Sequence, residues 1–213
     1  MIQIEYTSAI GWAAAVRGMR NPMNSWDKSD TYEELKPIHY GNAVCGEIRE
    51  LTIGDKDLDL MKKLVKAGTD HSKFMRMITV TCDITAPLYW WKEMDTYKVG
   101  TVRNSCSTMH TITNRAFTED DFSCEYAKDF SVFGEVLHAL NRLREMYIDS
   151  YDTGYWYALI QLLPSSYNQR ATVQLNYQVL RNIYRARKGH KLDEWRDFRH
   201  WIDTLPYSEL ITL

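Results

Sequence analysis

The sequence predicts an α+β fold, mostly helical, in a single domain spanning residues 1–213. Three observations carry that expectation. From Phe74 to Cys82 the apolar residues Phe74, Met75, Met77, Ile78, Val80 and Cys82 are set around Thr79 and Thr81, the alternation of a strand. Several other stretches repeat apolar side chains at helical spacing, among them 55–66, 130–147 and 169–187. A chain of 213 residues, 45% hydrophobic and 25% charged, has the length and composition for one sizeable core.

In chain order, Ile2, Ile4 and Tyr6 alternate as a first strand. Ala9 to Arg20 reads as a helix through Trp12, Ala13, Val16 and Met19, ended by Asn21-Pro22. Residues 24–38 are polar and turn-rich, a surface excursion with room for one short helix; 41–53 holds a brief strand. Asp55 to Lys66 is a helix with Leu58, Met61, Leu64 and Val65 inward and Gly68 as its stop. After the alternating run, Pro87 opens a helix carrying Leu88, Trp91, Met94, Asp95 and Lys98 near one face. Phe130 to Tyr147 is a long helix, and Asp152 to Leu163 another, stopped by Pro164. Gln169 to Arg187 is read as one helix, since Val173, Tyr177, Leu180 and Tyr184 are spaced four, three and four; Gly189 breaks it. Lys191 to Asp203 resumes with Leu192, Trp195, Phe198 and Ile202, and Leu205-Pro206 ends the domain.

Composition narrows the function. A net charge of −2 gives no support to binding a nucleic-acid polymer. Seven Trp and fourteen Tyr suit a subunit that buries flat surfaces or stacks planar ligands. The four cysteines are scattered without a CxxC pair, which argues for a reducing compartment, the cytoplasm, over a disulfide framework or zinc knuckle. No apolar run approaches membrane-spanning length, and the N-terminus lacks the basic start and long apolar core of a signal peptide.

The stretch from Asp70 to His110 concentrates the chemistry. His71, beside Asp70 at the mouth of the strand, can shuttle a proton or sit as a turn histidine. Asp95 and Lys98, three apart, pair as a helix-surface contact, or Lys98 turns to a phosphate. Asn104-Ser105-Cys106-Ser107-Thr108 gathers hydroxyl and amide groups suited to holding phosphate. Arg103 is the cation nearest Cys106 in sequence, which is too little to mark a covalent thiol nucleophile. Arg187 and His190 bracket a helix break, where they face a ligand or cap the helix dipole. Trp90-Trp91 reads as core or subunit interface rather than as a ring stack.

These pieces resemble the flavin-dependent thymidylate synthases, the ThyX family. Ala15-Val16-Arg17-Gly18-Met19-Arg20 is similar to the family's AVRxAR helix, and Asp70-His71-Ser72 to its Gly-His turn. The patterns run without a gap from His71 through Ile84-Thr85-Ala86-Pro87-Leu88 to Ser107. Leu162-Leu163-Pro164, Asn176, Arg187, and His190 through Glu194-Trp195 resemble the family's closing LP…N…LR…H…E. The resemblance implies helices around a small, mostly antiparallel sheet, and a homotetramer whose sites are shared between chains. It implies FAD carrying a hydride from NADPH, methylenetetrahydrofolate supplying the methylene carbon, and reductive methylation of dUMP to dTMP.

The departures are specific. Where the family has Arg-His-Arg, this chain has Thr96-Tyr97-Lys98, so two guanidinium forks give way to one ammonium. The preceding glutamine is Glu93, the loop serine falls on Cys106, and the following Arg-Tyr is Thr108-Met109. The arginine before Leu-Pro is Leu159 or Ile160, depending on register. Carried over residue by residue, the resemblance implies catalysis by Arg187, polarising the uracil, and by His71. It implies nucleotide contacts from Lys98, Arg103, Ser105, Cys106 and Ser107. The chemistry of the residues adds an expectation: Lys98 on a helix and Arg187 at a helix break supply charge, the Ser105–Ser107 loop supplies geometry, and the three converge on one anionic ligand. Cofactor contacts would come from His71, Ser72, Glu93, Tyr97, Asn176 and His190. The lost triplet favours an alternative, a non-catalytic nucleotide-binding or sequestering protein on the same fold.

Overall fold

The computed structural model describes residues 2–41 and 43–213. The elements are β1 (Gln3–Ile10), α1 (Trp12–Arg20), β2 (Tyr32–Tyr40), β3 (Ala43–Thr52), α2 (Asp55–Ala67), β4 (Thr79–Pro87), α3 (Leu88–Met94), β5 (Val102–Ser105) and α4 (Thr108–Thr111). They continue as α5 (Ser131–Ser150), α6 (Thr153–Leu162), β6 (Asn168–Asn176), α7 (Tyr177–Ala186), α8 (Asp193–Asp203) and α9 (Glu209–Thr212). The fold is α+β. A four-stranded sheet has the order β1–β4–β6–β5, and β2 with β3 forms a separate two-stranded sheet. Among the described residues no helix is long and apolar enough to cross a membrane.

The chain forms two compact units. The first comprises Met1–Thr7, Thr81–Gln174 and Gly189–Phe198. Here β5 and β6 run antiparallel, with Val102 opposite Gln174 and Ser105 opposite Ala171. Helices α5 and α6 pack together over Ile112, Phe117, Phe122, Phe133, Leu140 and Leu159. The Asp152 carboxylate accepts the Gly154 N–H at 2.8 Å and starts α6, as an aspartate does ahead of a first turn.

The second unit comprises Ser8–Val80, Leu175–Lys188 and Arg199–Leu213. Helix α7 packs on α9, and α2 does so too, burying Met61, Val65, Leu180, Ile183, Leu210 and Ile211. Gly68 closes α2 with φ 111°, a conformation that residues with a Cβ avoid.

Several expected elements fall elsewhere. Helix α1 begins at Trp12, because β1 runs on to Ile10 and Gly11 turns the chain at φ 95°. A Cβ at Gly11 would lie 2.0 Å from the Met77 carbonyl oxygen, so only glycine fits. The brief strand expected within 41–53 is β3, and the turn-rich excursion supplies its partner β2: the two pair from Tyr32 opposite Thr52 to Tyr40 opposite Ala43. Lys36 braces it, reaching Glu34 at 3.2 Å and Glu50 at 2.5 Å. The strand expected from Phe74 starts at Thr79, after a short 3-10 turn in which the neighbours Phe74 and Met75 are both buried. Beyond it, the alternation of buried Val80, Cys82, Ile84 and Ala86 holds.

The largest correction concerns 169–187, which is not one helix. Asn168–Asn176 is strand β6, with Ala171, Val173 and Leu175 inward and Arg170, Thr172 and Gln174 outward. The period of two decides over the coincidental helical spacing of Val173. Helix α7 starts only at Tyr177. The expected end at Leu205-Pro206 is also overturned: α9 follows, with Leu210 and Ile211 fully buried.

Candidate functional site

Helix α3 lays Trp90, Trp91 and Met94 into the first unit, so the paired tryptophans are core. Trp90 packs on Trp195 and Phe198 of α8 at ring distances of 4.9 and 5.6 Å. Tyr89 and Glu93, on the other flank of α3, line a cleft of about 670 Å³ with Gly189, His190, Lys191 and Leu192. The Glu93 carboxylate accepts the Trp195 indole N–H at 2.7 Å and lies 3.2 Å from His190 Nε2. The Leu192 N–H donates to His190 Nδ1 at 3.2 Å, which leaves Nε2 to carry the proton towards Glu93. Tyr97 packs edge-on against Trp195 at 6.1 Å. Three of the expected cofactor residues, Glu93, Tyr97 and His190, are thus brought together around Trp195.

The Tyr89 hydroxyl donates to Glu194, whose carboxylate is buried. Burial, and then that hydrogen bond, push the Tyr89 phenol well above the ordinary tyrosine range, so it is a donor at neutral pH. Towards a ligand this cleft presents the Glu93 carboxylate, the His190 imidazole, the Tyr89 phenol and Lys191, so it offers partners for N–H and O–H groups and one cation.

The remaining candidates of this unit are placed as follows. Arg103 stacks over the Trp91 ring at 4.7 Å and pairs with Asp95 at 2.9 Å. Asp95 therefore holds Arg103, not Lys98 as the three-residue spacing suggested; Lys98 is exposed. Thr96 returns its hydroxyl to the Glu93 carbonyl at 2.8 Å. Ser105 ends β5, and Ser107 precedes α4. The Cys106 N–H donates to the Arg170 carbonyl at 2.9 Å, and Gln169 Nε2 donates to the Cys106 carbonyl at 2.9 Å. The loop is tied to β6 through its backbone, and the Thr108 hydroxyl also accepts from Gln169 Nε2 at 3.3 Å.

Cys106 lines a second recess, of about 300 Å³, with Thr85, Thr108, Arg115, Tyr167 and Asn168. No spacing in the sequence pointed to Arg115 or Tyr167; the one signal was an arginine just ahead of the acidic run Glu119-Asp120-Asp121.

The second unit holds His71, Ser72, Asn176 and Arg187. His71 is exposed in the turn after Gly68. Ser72 is fully buried and donates to Gln178 at 3.3 Å. Asn176 caps α7, its side-chain oxygen accepting the Val179 N–H at 3.0 Å. Arg187, half-buried, follows the last turn of α7. Among the described residues no three His, Cys, Asp or Glu side chains gather as metal ligands do.

No family model matches the chain, and no curated protein does. Solved structures do. Thymidylate synthase X from Helicobacter pylori, solved with FAD and dUMP, matches with a TM-score of 0.69 at 17% identity, covering 100% of this chain and 97% of that one. A second structure, of the flavin-dependent thymidylate synthase ThyX from the same organism with FAD and dUMP, gives 0.69 and 17% over 99% and 97%. The α+β fold of this chain is that of the ThyX proteins, matched along its whole length.

Proposed function

We propose that this chain is a nucleotide-binding protein of the ThyX type that takes a pyrimidine nucleotide and, more weakly, a flavin. The observation that carries the reading is the full-length match in fold to a protein solved with FAD and dUMP. The reaction proposed with it is reductive methylation of dUMP to dTMP in the cytoplasm by a homotetramer. Arg187 is the proposed group that polarises the uracil, and His71 the proposed proton carrier. Bound flavin would supply the hydride relay from NADPH, and methylenetetrahydrofolate the carbon.

The residues fit part of a flavin. Glu93, His190 and Tyr89 can hydrogen-bond the donor edge of a ring or a ribose, and Tyr97 offers a face. They do not fit a pyrophosphate tightly. Thr96 is bonded to its own helix and Tyr97 is packed on Trp195, leaving Lys98 as the cation of the triplet. Each charged hydrogen bond lost removes about 1.5–3 kcal/mol, so two losses weaken binding by orders of magnitude. That same observation favours the second reading, a protein on this fold that binds or sequesters a nucleotide without turning it over.

One run on a light-scattering column with flavin absorbance tests assembly and cofactor together. The expected species has four times the 25.0 kDa chain mass and emerges colourless after loading with micromolar FAD. A tetramer that stays yellow would mean that other residues grip the pyrophosphate. A species of one chain mass would remove any site shared between subunits.

A further inference from the structure

The recess lined by Cys106 adjoins a second one of about 370 Å³: the two share Thr111, Arg115, Asp121 and Tyr167. Arg115 stands where they meet. Its Nη1 donates to Asp121 Oδ2 at 2.8 Å and to the Ala116 carbonyl at 3.1 Å, and its Nη2 donates to Asp121 Oδ1. Asp121 is itself fixed. Its side chain is 10% exposed, and Oδ2 also accepts the Thr118 N–H at 2.8 Å, closing a capping box on the turn Glu119–Asp121.

A guanidinium carries five N–H donors in one plane. Three are taken here: the end-on pair by Asp121 and the outer Nη1 hydrogen by Ala116. The other two, on Nε and on the far side of Nη2, lie parallel along the remaining edge. They have no acceptor among the described residues. Two parallel N–H groups on a guanidinium that cannot turn away are the fork that takes a carboxylate or phosphate bidentately. Asp121 therefore acts as a mount that aims the free edge, while the Arg115 side chain stays 67% exposed and reachable. Around it the cleft is lined by the Thr85, Thr108 and Tyr167 hydroxyls, the Asn168 amide and Arg170, whose guanidinium is paired with Asp83 at 2.7 Å.

We propose that this cleft binds a small ligand through one oxyanion gripped by the Nε–Nη2 edge of Arg115. The identity of that ligand rests on the function proposed above, under which the oxyanion is the phosphate of a pyrimidine nucleoside monophosphate. Asp120 also lines the cleft, so with Asp121 it places two carboxylates near the ligand. They penalise each further negative charge, and the site takes a monophosphate in preference to a triphosphate.

Calorimetric titration of deoxyuridine, dUMP and dUTP into the wild type and Arg115→Gln tests this. The wild type is expected to bind dUMP about ten- to a hundredfold more tightly than deoxyuridine, and dUTP no more tightly than dUMP. Arg115→Gln is expected to bind dUMP only as well as deoxyuridine, with deoxyuridine binding unchanged. Arg115→Lys, which keeps the charge and loses the fork, is expected to bind dUMP more weakly than the wild type with deoxyuridine binding unchanged, and serves if the glutamine variant fails to fold. Wild-type dUMP affinity in a folded variant overturns the proposal. If the wild type binds no nucleotide, the functional reading fails by itself, and inorganic phosphate followed on the Arg115 Nε–H resonance decides the oxyanion site. A saturable shift keeps the site; no shift overturns it.

Discussion

Replacing Trp195 by alanine is expected to destabilise the protein by about 3–5 kcal/mol, the range for deleting a large buried aromatic ring. Trp195 is fully buried, and its ring meets Trp90, Phe198, Tyr97 and His190 at 4.9 to 6.2 Å. Trp90 and Phe198 are themselves fully buried in the same cluster, so the space is not refilled without moving other core side chains. The substitution also takes the 2.7 Å indole donor from Glu93. Trp195→Phe separates the two effects. It keeps much of the ring volume and loses the N–H, so it is expected to cost less, about 1–3 kcal/mol. Urea denaturation of both variants checks the order. A loss under 1 kcal/mol in Trp195→Ala would mean that the aromatic cluster does not hold α3 to α8.

The second large effect lies in the other unit. Arg20→Ala is expected to cost about 3–5 kcal/mol, because it strands a buried carboxylate. Asp57 is fully buried and Arg20 nearly so, 2.6 Å apart. Arg20 also donates to the carbonyls of Ser25 and Lys28, at 3.1 and 3.0 Å. The Asp57 carboxylate accepts from the hydroxyls of Ser29 and Thr31, at 2.5 and 2.7 Å, and from the Thr31 N–H at 3.1 Å. Burial by itself would raise the Asp57 pKa. The hydrogen bonds from Ser29, Thr31 and Arg20 outweigh it and hold the carboxyl below the usual aspartate value.

A depressed folded-state pKa contributes stability above the unfolded value, and that stability is lost as pH falls through the folded value. Wild type therefore keeps this contribution into the acid range. In Arg20→Ala the stranded carboxylate can be relieved by a proton. The gap between wild type and variant should be widest near neutral pH and shrink as pH falls. A gap independent of pH would mean that the loss is packing alone.

What the sequence made legible followed from how local the signals were. Helix α2 could be read because its apolar spacing, its acidic start and Gly68 all agree within fourteen positions. Strand β6 could not, because Val173 fits two periods and only pairing with β5 settles which one it serves. Strand β2 was hidden because most of its residues are exposed, so it lacks the alternation that burial imposes, while its partner β3 was legible as a brief strand. In the candidate site, Glu93, Tyr97 and His190 were found by family pattern, and the structure gathers them. Asn176 and Ser72 were found in the same way, yet their side chains are engaged by a helix cap and by Gln178. Arg115 and Tyr167, fifty-two positions apart, share a recess only after folding.

Calorimetric titration of dUMP into the wild type and Arg187→Ala tests the central claim, a pyrimidine-nucleotide protein on the ThyX fold. Saturable binding in the wild type is expected, weakened about ten- to a hundredfold in Arg187→Ala, the scale of one charged hydrogen bond, with a thermal melt showing that the variant is folded. No saturable binding by the folded wild type up to about 1 mM dUMP would contradict the claim and leave a likeness of fold alone.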